Sequence, residues 1–243
     1  MKIFIMSLLF MLFTNGIAVA EGFESDLFDT SAGKLRITFI GHGTLMMELD
    51  GLVIHIDPWS QLADYSALPR ADLILVTHEH RDHLDRKAID LLKKEETVIF
   101  SSESCLSGLP EAKALKNYDS VRHGIVGIEA YPAYNLVHMR SENNPYHPKG
   151  RGNAYLLTVG DKRILIGADT ENVPELKALK NIDVAFLPMN LPYTMTPEML
   201  SDLALAMKPR ILYPYHYGET DAGKLVELLK SNKEIEVRIR KMP

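Results

Sequence analysis

The chain of 243 residues predicts an α/β fold rich in strands, and three observations carry that reading. Apolar runs of strand length recur from residue 35 to residue 240, helical segments fall between them and near the end of each half, and Asp50-Gly51 and Gly160-Asp161 are hairpin signals. Two sheets face to face with helices outside, a four-layer α/β/β/α sandwich, satisfy this pattern. A doubly wound single sheet satisfies it equally, because periodicity reports which faces are buried and not what covers them.

Taken in order, LRITFI (35–40) alternates with the strand period, and TLMMELDGLVIHID (44–57) reads as two apolar strands turned at Asp50-Gly51. ADLILVTH (71–78) is a continuous apolar run, as expected of a strand covered on both faces. LDRKAIDLLKKEE (84–96) reads as a helix and TVIFS (97–101) as the strand after it. In the second half, VGIEAYPA (126–133), AYLLTV (154–159) and GDKRILIG (160–167) read as strands. VPELKALK (173–180) is a short helix, IDVAFLP (182–188) a strand, and TPEMLSDLALAM (196–207) a helix opened by a Thr cap followed by Pro. RILYPYH (210–216), DAGKLVELLK (221–230) and IEVRIR (235–240) close the chain as strand, helix and strand.

Residues 1–20 read as a secretory signal peptide: Lys2, an apolar core from Ile3 to Phe13, and the small-x-small site Ala18-Val19-Ala20. That core is too short for a membrane-spanning helix, which needs about 20 residues. Export to the periplasm or medium is therefore expected, with residues 21–243 forming one domain and no transmembrane segment after cleavage. The net charge of −5 and the absence of any basic run argue against a nucleic-acid partner. A single cysteine, Cys105, excludes an intrachain disulfide, and its place between SSES and LSGLP, far in sequence from any base, gives it a structural reading.

The chemistry concentrates in THEHRDH (77–83). His78 and His80 point the same way from an extended segment, while Asp82 and His83 come round on the following turn. Imidazole and carboxylate together suit Zn, Mn, Fe or Ni. Four such side chains in six residues exceed what one ion takes from one loop, so two divalent ions are expected, Zn first.

The loop resembles the T-H-x-H-x-D-H signature of the metallo-β-lactamase-fold superfamily. GHGTLMME (41–48), DPW (57–59), HPKGRGNAYLL (147–157), ADT (168–170), DVAFLPMN (183–190), YTMTPE (193–198) and PYHYG (214–218) extend the likeness along the chain. They are most similar to the branch related to L-ascorbate-6-phosphate lactonases and the N-acylphosphatidylethanolamine-hydrolysing phospholipase D. The resemblance implies the α/β/β/α sandwich. It also makes His78 and His80 ligands of a first metal, Asp82, His83 and His216 ligands of a second, and Asp169 the bridge. Two departures stand out: Ala168 where the family has Gly, and Asn135 where many relatives carry a third first-metal histidine. His147 is the leading replacement, with His138 and Asn135 itself as the alternatives. His42 and Asp57 are expected to support the ligands or face substrate, and Tyr193 and Tyr217 to line the cleft.

The activity implied is hydrolysis, with Asp82 and Asp169 orienting a water that two cations acidify from about 15.7 toward 7. An ester-type bond, a phosphodiester or lactone in a small-molecule or lipid-like substrate, is favoured by the resemblance. The loops 58–69, 135–150 and 190–196 are the candidate selectors. An oxygen-using di-iron oxidoreductase and a non-catalytic exported metal-binding protein are the alternatives.

Overall fold

A computed structural model describes residues 22–243, so the expected leader lies outside the described residues. The first sheet runs in chain order: β1 (Glu24–Thr30), β2 (Gly33–Gly41), β3 (Thr44–Leu49), β4 (Leu52–Ile56), β5 (Leu73–Val76), β6 (Val98–Ser102) and β7 (Lys113–Leu115). β1 to β4 form an antiparallel meander, and β4 to β7 are parallel. The second sheet repeats this plan. β8 (Ser120–His123), β9 (Val126–Ala133), β12 (Gly152–Val159) and β13 (Lys162–Ile166) pair antiparallel. β14 (Val184–Pro188), β15 (Ile211–Tyr215) and β16 (Glu236–Val237) then add in parallel. A small hairpin of β10 (Met139–Ser141) and β11 (Asn144–Pro145) stands apart.

The two sheets bury one face against each other. Ile37, Leu45, Met47, Ile54 and Leu73 from the first meet Ile128, Tyr155, Leu157, Phe186 and Tyr213 from the second. Fully burying one such side chain is worth about 1.5–3 kcal/mol, so the layer is the main stabilising element. On the outer face of the first sheet, α1 (Arg86–Leu92) packs Ala88, Ile89 and Leu92 against Ile74, Val76 and Ile99. On that of the second, α2 (Pro174–Lys177), α3 (Pro197–Met207) and α4 (Ala222–Leu229) cover Leu165, Ala185, Leu187 and Leu212. This is the four-layer sandwich, and it explains why β5 and β14 are apolar without alternation: both faces are covered.

Several elements depart from expectation. The helix expected over 84–96 spans only Arg86–Leu92, because the Leu84 amide turns back onto the His80 carbonyl and Asp85 caps the helix by accepting from the Lys87 and Ala88 amides. The helix expected over 173–180 shrinks to Pro174–Lys177, and the final strand to Glu236–Val237. β1 was not expected, since its polar sequence carries no apolar run; it is held by pairing with all of β2 from Gly33 to Phe39. At the Asp50-Gly51 turn both residues have positive φ, as a two-residue hairpin loop requires.

Candidate metal centre

The functional side chains gather at the carboxyl ends of the parallel strands, where open α/β sheets place their ligands. His78, His80, Asp82 and His83 follow β5, Asp169 follows β13, and His216 follows β15. Asp57, just past β4, anchors the first loop from beneath. It sits at φ 44 and is fully buried. Its Oδ1 accepts the Thr77 amide at 2.8 Å, and its Oδ2 accepts the Thr77 hydroxyl at 2.6 Å and His83 Nδ1 at 2.7 Å. Because that hydroxyl donates to Asp57, it accepts from His78 Nδ1 at 3.0 Å. One carboxylate thus puts the protons of His78 and His83 on Nδ1 and turns both Nε2 atoms toward the cleft.

Two groups of four result, each with its ligand-type atoms within 4.8 Å of one another: His78, His80, His147 and Asp169, and His42, Asp82, His83 and His216. Asp169 joins them. Its Oδ2 lies 3.1 Å from His147 Nε2, and its Oδ1 lies 3.4 Å from His83 Nε2 and 3.5 Å from His216 Nε2. Asp82 Oδ2 closes the second group, 3.8 Å from His83 Nε2 and 3.6 Å from His216 Nε2. His42 enters this group as well, its Nε2 being 3.0 Å from Asp82 Oδ2, so it is more than a neighbour of the cluster.

His147 joins the first group. Asn135 does not: its amide oxygen accepts from the His147 backbone amide at 2.7 Å and from Nδ1 at 2.8 Å. His138 turns away to Glu171, with Nδ1 2.7 Å from Oε1. The exposed Tyr193 ring meets Tyr146 edge-on at 5.0 Å. Tyr217, expected to line the cleft, packs partly buried against the core, and its hydroxyl donates to the Arg240 carbonyl at 2.8 Å.

The geometry tests whether a metal fits. His83 Nε2, His216 Nε2 and Asp169 Oδ1 are buried and have no hydrogen-bond partner, although they converge on one another. Leaving a buried polar atom unpaired costs about 1–3 kcal/mol, a cost a shared cation removes for all three at once. Protonation behaviour agrees. Burial opposes charge on His83, yet the Asp169 and Asp57 carboxylates outweigh it and raise its pKa well above normal. Burial, reinforced by the neighbouring histidines, keeps His78 and His80 low and therefore neutral. Burial works against ionised Asp169, but His216, His83 and His147 hold its pKa well below the usual carboxylate range. A site that traps a proton between carboxylates beside neutral imidazoles prefers a cation, and its N and O donors fit a divalent ion.

Around the cluster, an open cleft of about 630 Å³ adjoins the second group, lined by Trp59, Ser60, Gln61, Arg81, Asp82, Arg86 and Lys87. Gly43 is required where it stands, because a Cβ there would lie 2.9 Å from His83 Cε1. Ala168, the departure from Gly, has φ +57 and is fully buried, so this chain holds an L residue where glycine is the relaxed choice. Sequence reading missed Asn190, whose amide lies 3.2 Å from His216 Nδ1, and Glu171, whose only signal was its place two residues after Asp169. Cys105 is buried, with its thiol pushed up to about 11 by burial, in keeping with its structural reading.

Comparison with known proteins places this arrangement. Residues 36–216 match the Beta-lactamase superfamily domain. A UPF0173 metal-dependent hydrolase of Pyrobaculum arsenaticum is 29% identical over 198 residues, covering 76% of this chain and 84% of that protein. A crystal structure of a protein assigned as a metal-dependent hydrolase from Parabacteroides distasonis is 48% identical and covers 91% of this chain and 100% of its own, with TM-score 0.87. Igni18, a metallo hydrolase of Ignicoccus hospitalis, shares the fold at 22% identity and TM-score 0.71, covering 85% of this chain and 95% of its own. The chain therefore belongs to the metallo-β-lactamase superfamily, and the proteins it is similar to there are metal-dependent hydrolases.

Proposed function

We propose that this hydrolase cleaves an ester-type bond, a phosphodiester or a lactone, with two divalent ions held by the His and Asp groups, Zn first and Mn, Fe or Ni compatible. The carrying observation is the convergence of three unpartnered buried atoms, His83 Nε2, His216 Nε2 and Asp169 Oδ1, between two ligand groups. His78, His80 and His147 would hold one ion, Asp82, His83 and His216 the other, and Asp169 would face both. His42 holds the Asp82 carboxylate from the cleft side.

When bound, such ions supply a water acidified from about 15.7 toward 7 and a Lewis acid for the oxygen under attack. The residues do the rest. Asp82 borders the cleft and is placed to accept a hydrogen bond from the attacking water and aim it. Arg81 and Lys87 line the same cleft, which supports a substrate carrying negative charge. Leu136, Val137, Met139, Leu191 and Tyr193 are exposed in the 135–150 and 190–196 segments, which supports an apolar, lipid-like portion. The likeness to ascorbate-phosphate lactonases and the acylethanolamine phospholipase D favours the same bond types. Export by residues 1–20 would set this chemistry outside the cytoplasm, and no helix among the described residues is long and apolar enough to cross a membrane.

The test is a panel of phosphodiesters, lactones, β-lactams and thioesters assayed with Zn-loaded and chelator-treated protein. Chelator-sensitive turnover of a phosphodiester or lactone supports the reading. Metal binding without turnover would favour a binding protein, and oxygen consumption without hydrolysis would favour a di-iron oxidoreductase; either overturns it.

A further inference from the structure

Glu171 is fully buried, follows Asp169 by two residues, and belongs to neither ligand group. Its carboxylate gathers five donors. Oε2 accepts the Leu136 and Val137 amides at 2.6 and 2.7 Å. Oε1 accepts the His138 amide at 2.8 Å, His138 Nδ1 at 2.7 Å and Asn135 Nδ2 at 2.9 Å. A buried carboxylate is costly, and this one is offset by charge-assisted hydrogen bonds rather than by a cationic side chain of Lys or Arg.

The orientation of Asn135 follows from its partners. Its nitrogen meets Glu171 Oε1 and, at 2.9 Å, the Tyr193 carbonyl. Both are acceptors only, so the nitrogen must face them and the oxygen must face the other way. That oxygen receives the His147 backbone amide and Nδ1. His147 Nδ1 therefore carries the proton, and Nε2 presents its lone pair beside His78, His80 and Asp169.

We propose that Glu171 is a positioning residue which, through Asn135, sets the tautomer and direction of His147 and so completes the first metal group. The relay takes the place of a ligand borne directly at residue 135. It also ties the 135–138 loop directly, and the Tyr193 backbone through Asn135, to the same carboxylate. A plain amide thus becomes useful where a histidine was expected, because it relays an acceptor's direction to a histidine twelve residues on.

The proposal rests on the two-ion reading above, and metal affinity rather than turnover tests it. Zn binding by chelator competition is measured for wild type, Asn135→Leu, Glu171→Gln, His147→Ala and the Asn135→Leu/His147→Ala double variant. The expected result is that Asn135→Leu and Glu171→Gln each weaken one of two Zn ions about 10–100-fold and leave the other within about two-fold. Adding Asn135→Leu to His147→Ala costs less than about two-fold more, since the relay then has nothing to aim. Single variants that bind both ions like wild type, or penalties that multiply in the double variant, overturn the proposal while leaving the two-ion reading intact. Wild type that binds no divalent ion overturns both. Because a variant could lose its fold, nitrogen NMR of Zn-loaded wild type labelled at histidine gives an independent reading. A proton on His147 Nδ1 supports the relay, and one on Nε2 overturns it.

Discussion

His83 Nδ1 lies 2.7 Å from Asp57 Oδ2, with both side chains sealed from solvent, and the same carboxylate also takes both donors of Thr77. This contact holds the HxHxDH loop rigid at the end of β5 before any ion arrives. Asp57→Asn keeps the shape but puts a donor where His83 and Thr77 both donate. It should weaken metal affinity about 10–100-fold. It should also lower the stability of the metal-free protein by about 3 kcal/mol, the low end for breaking a buried pair. Chelator competition and urea unfolding check the two effects separately.

His147→Ala and His138→Ala should behave differently although both are histidines of one loop. The first removes a member of the ligand group and should release one of two bound ions. The second removes a partner of Glu171 outside that group and should leave both ions in place, with stability falling by about 1 kcal/mol for the lost hydrogen bond. Metal content by mass spectrometry after dialysis separates them.

Gly43→Ala introduces a Cβ 2.9 Å from His83 Cε1, and this ring is locked by Asp57 and cannot retreat. The clash should cost at least about tenfold in metal affinity, the lower bound for disturbing a ligand's support. Gly124→Ala has open space for its Cβ but a positive φ of 55, so it should cost stability alone. Affinity and melting temperature measured on both variants distinguish a site effect from a backbone effect.

His55 predicts an acid-sensitive core away from the metals. It is buried in β4, donating from Nε2 to the Pro69 carbonyl at 2.9 Å, and burial holds its pKa down to about 4. A lowered folded-state pKa means that the unfolded chain binds the proton first. Stability is therefore intact above about 6.5 and is lost as pH falls through 6.5 toward 4, by about 3 kcal/mol in the limit. His55→Leu should flatten that part of the profile relative to wild type, measured by urea unfolding at pH 7 and pH 4.5. An unchanged slope would refute the account of His55.

Much of this was legible in the chain because the site is built from short-range features. HxHxDH supplies four side chains of the cluster from one strand end, and Asp169 and His216 sit at the ends of runs that read as strands from their apolar pattern. The sandwich itself was not separable from a single doubly wound sheet by periodicity; Ile37 and Tyr155 are both buried alternating residues, and only the structure shows that they face each other. What stayed hidden depends on partners distant in sequence. Glu171 looks like a polar residue after a strand until five donors from 135–138 surround it. The tie from the Tyr217 hydroxyl to the Arg240 carbonyl, 23 residues on, leaves no local mark in the sequence either. β1 lacks an apolar run because its stability comes from pairing along β2.

Asp169 stands between the two ligand groups, so it is where the account is most exposed. The decisive measurement is bound divalent metal per chain together with hydrolytic turnover, in wild type and in Asp169→Ala. The account predicts two equivalents and chelator-sensitive turnover in wild type, with both lost together in the variant. Turnover retained by metal-free Asp169→Ala would contradict it.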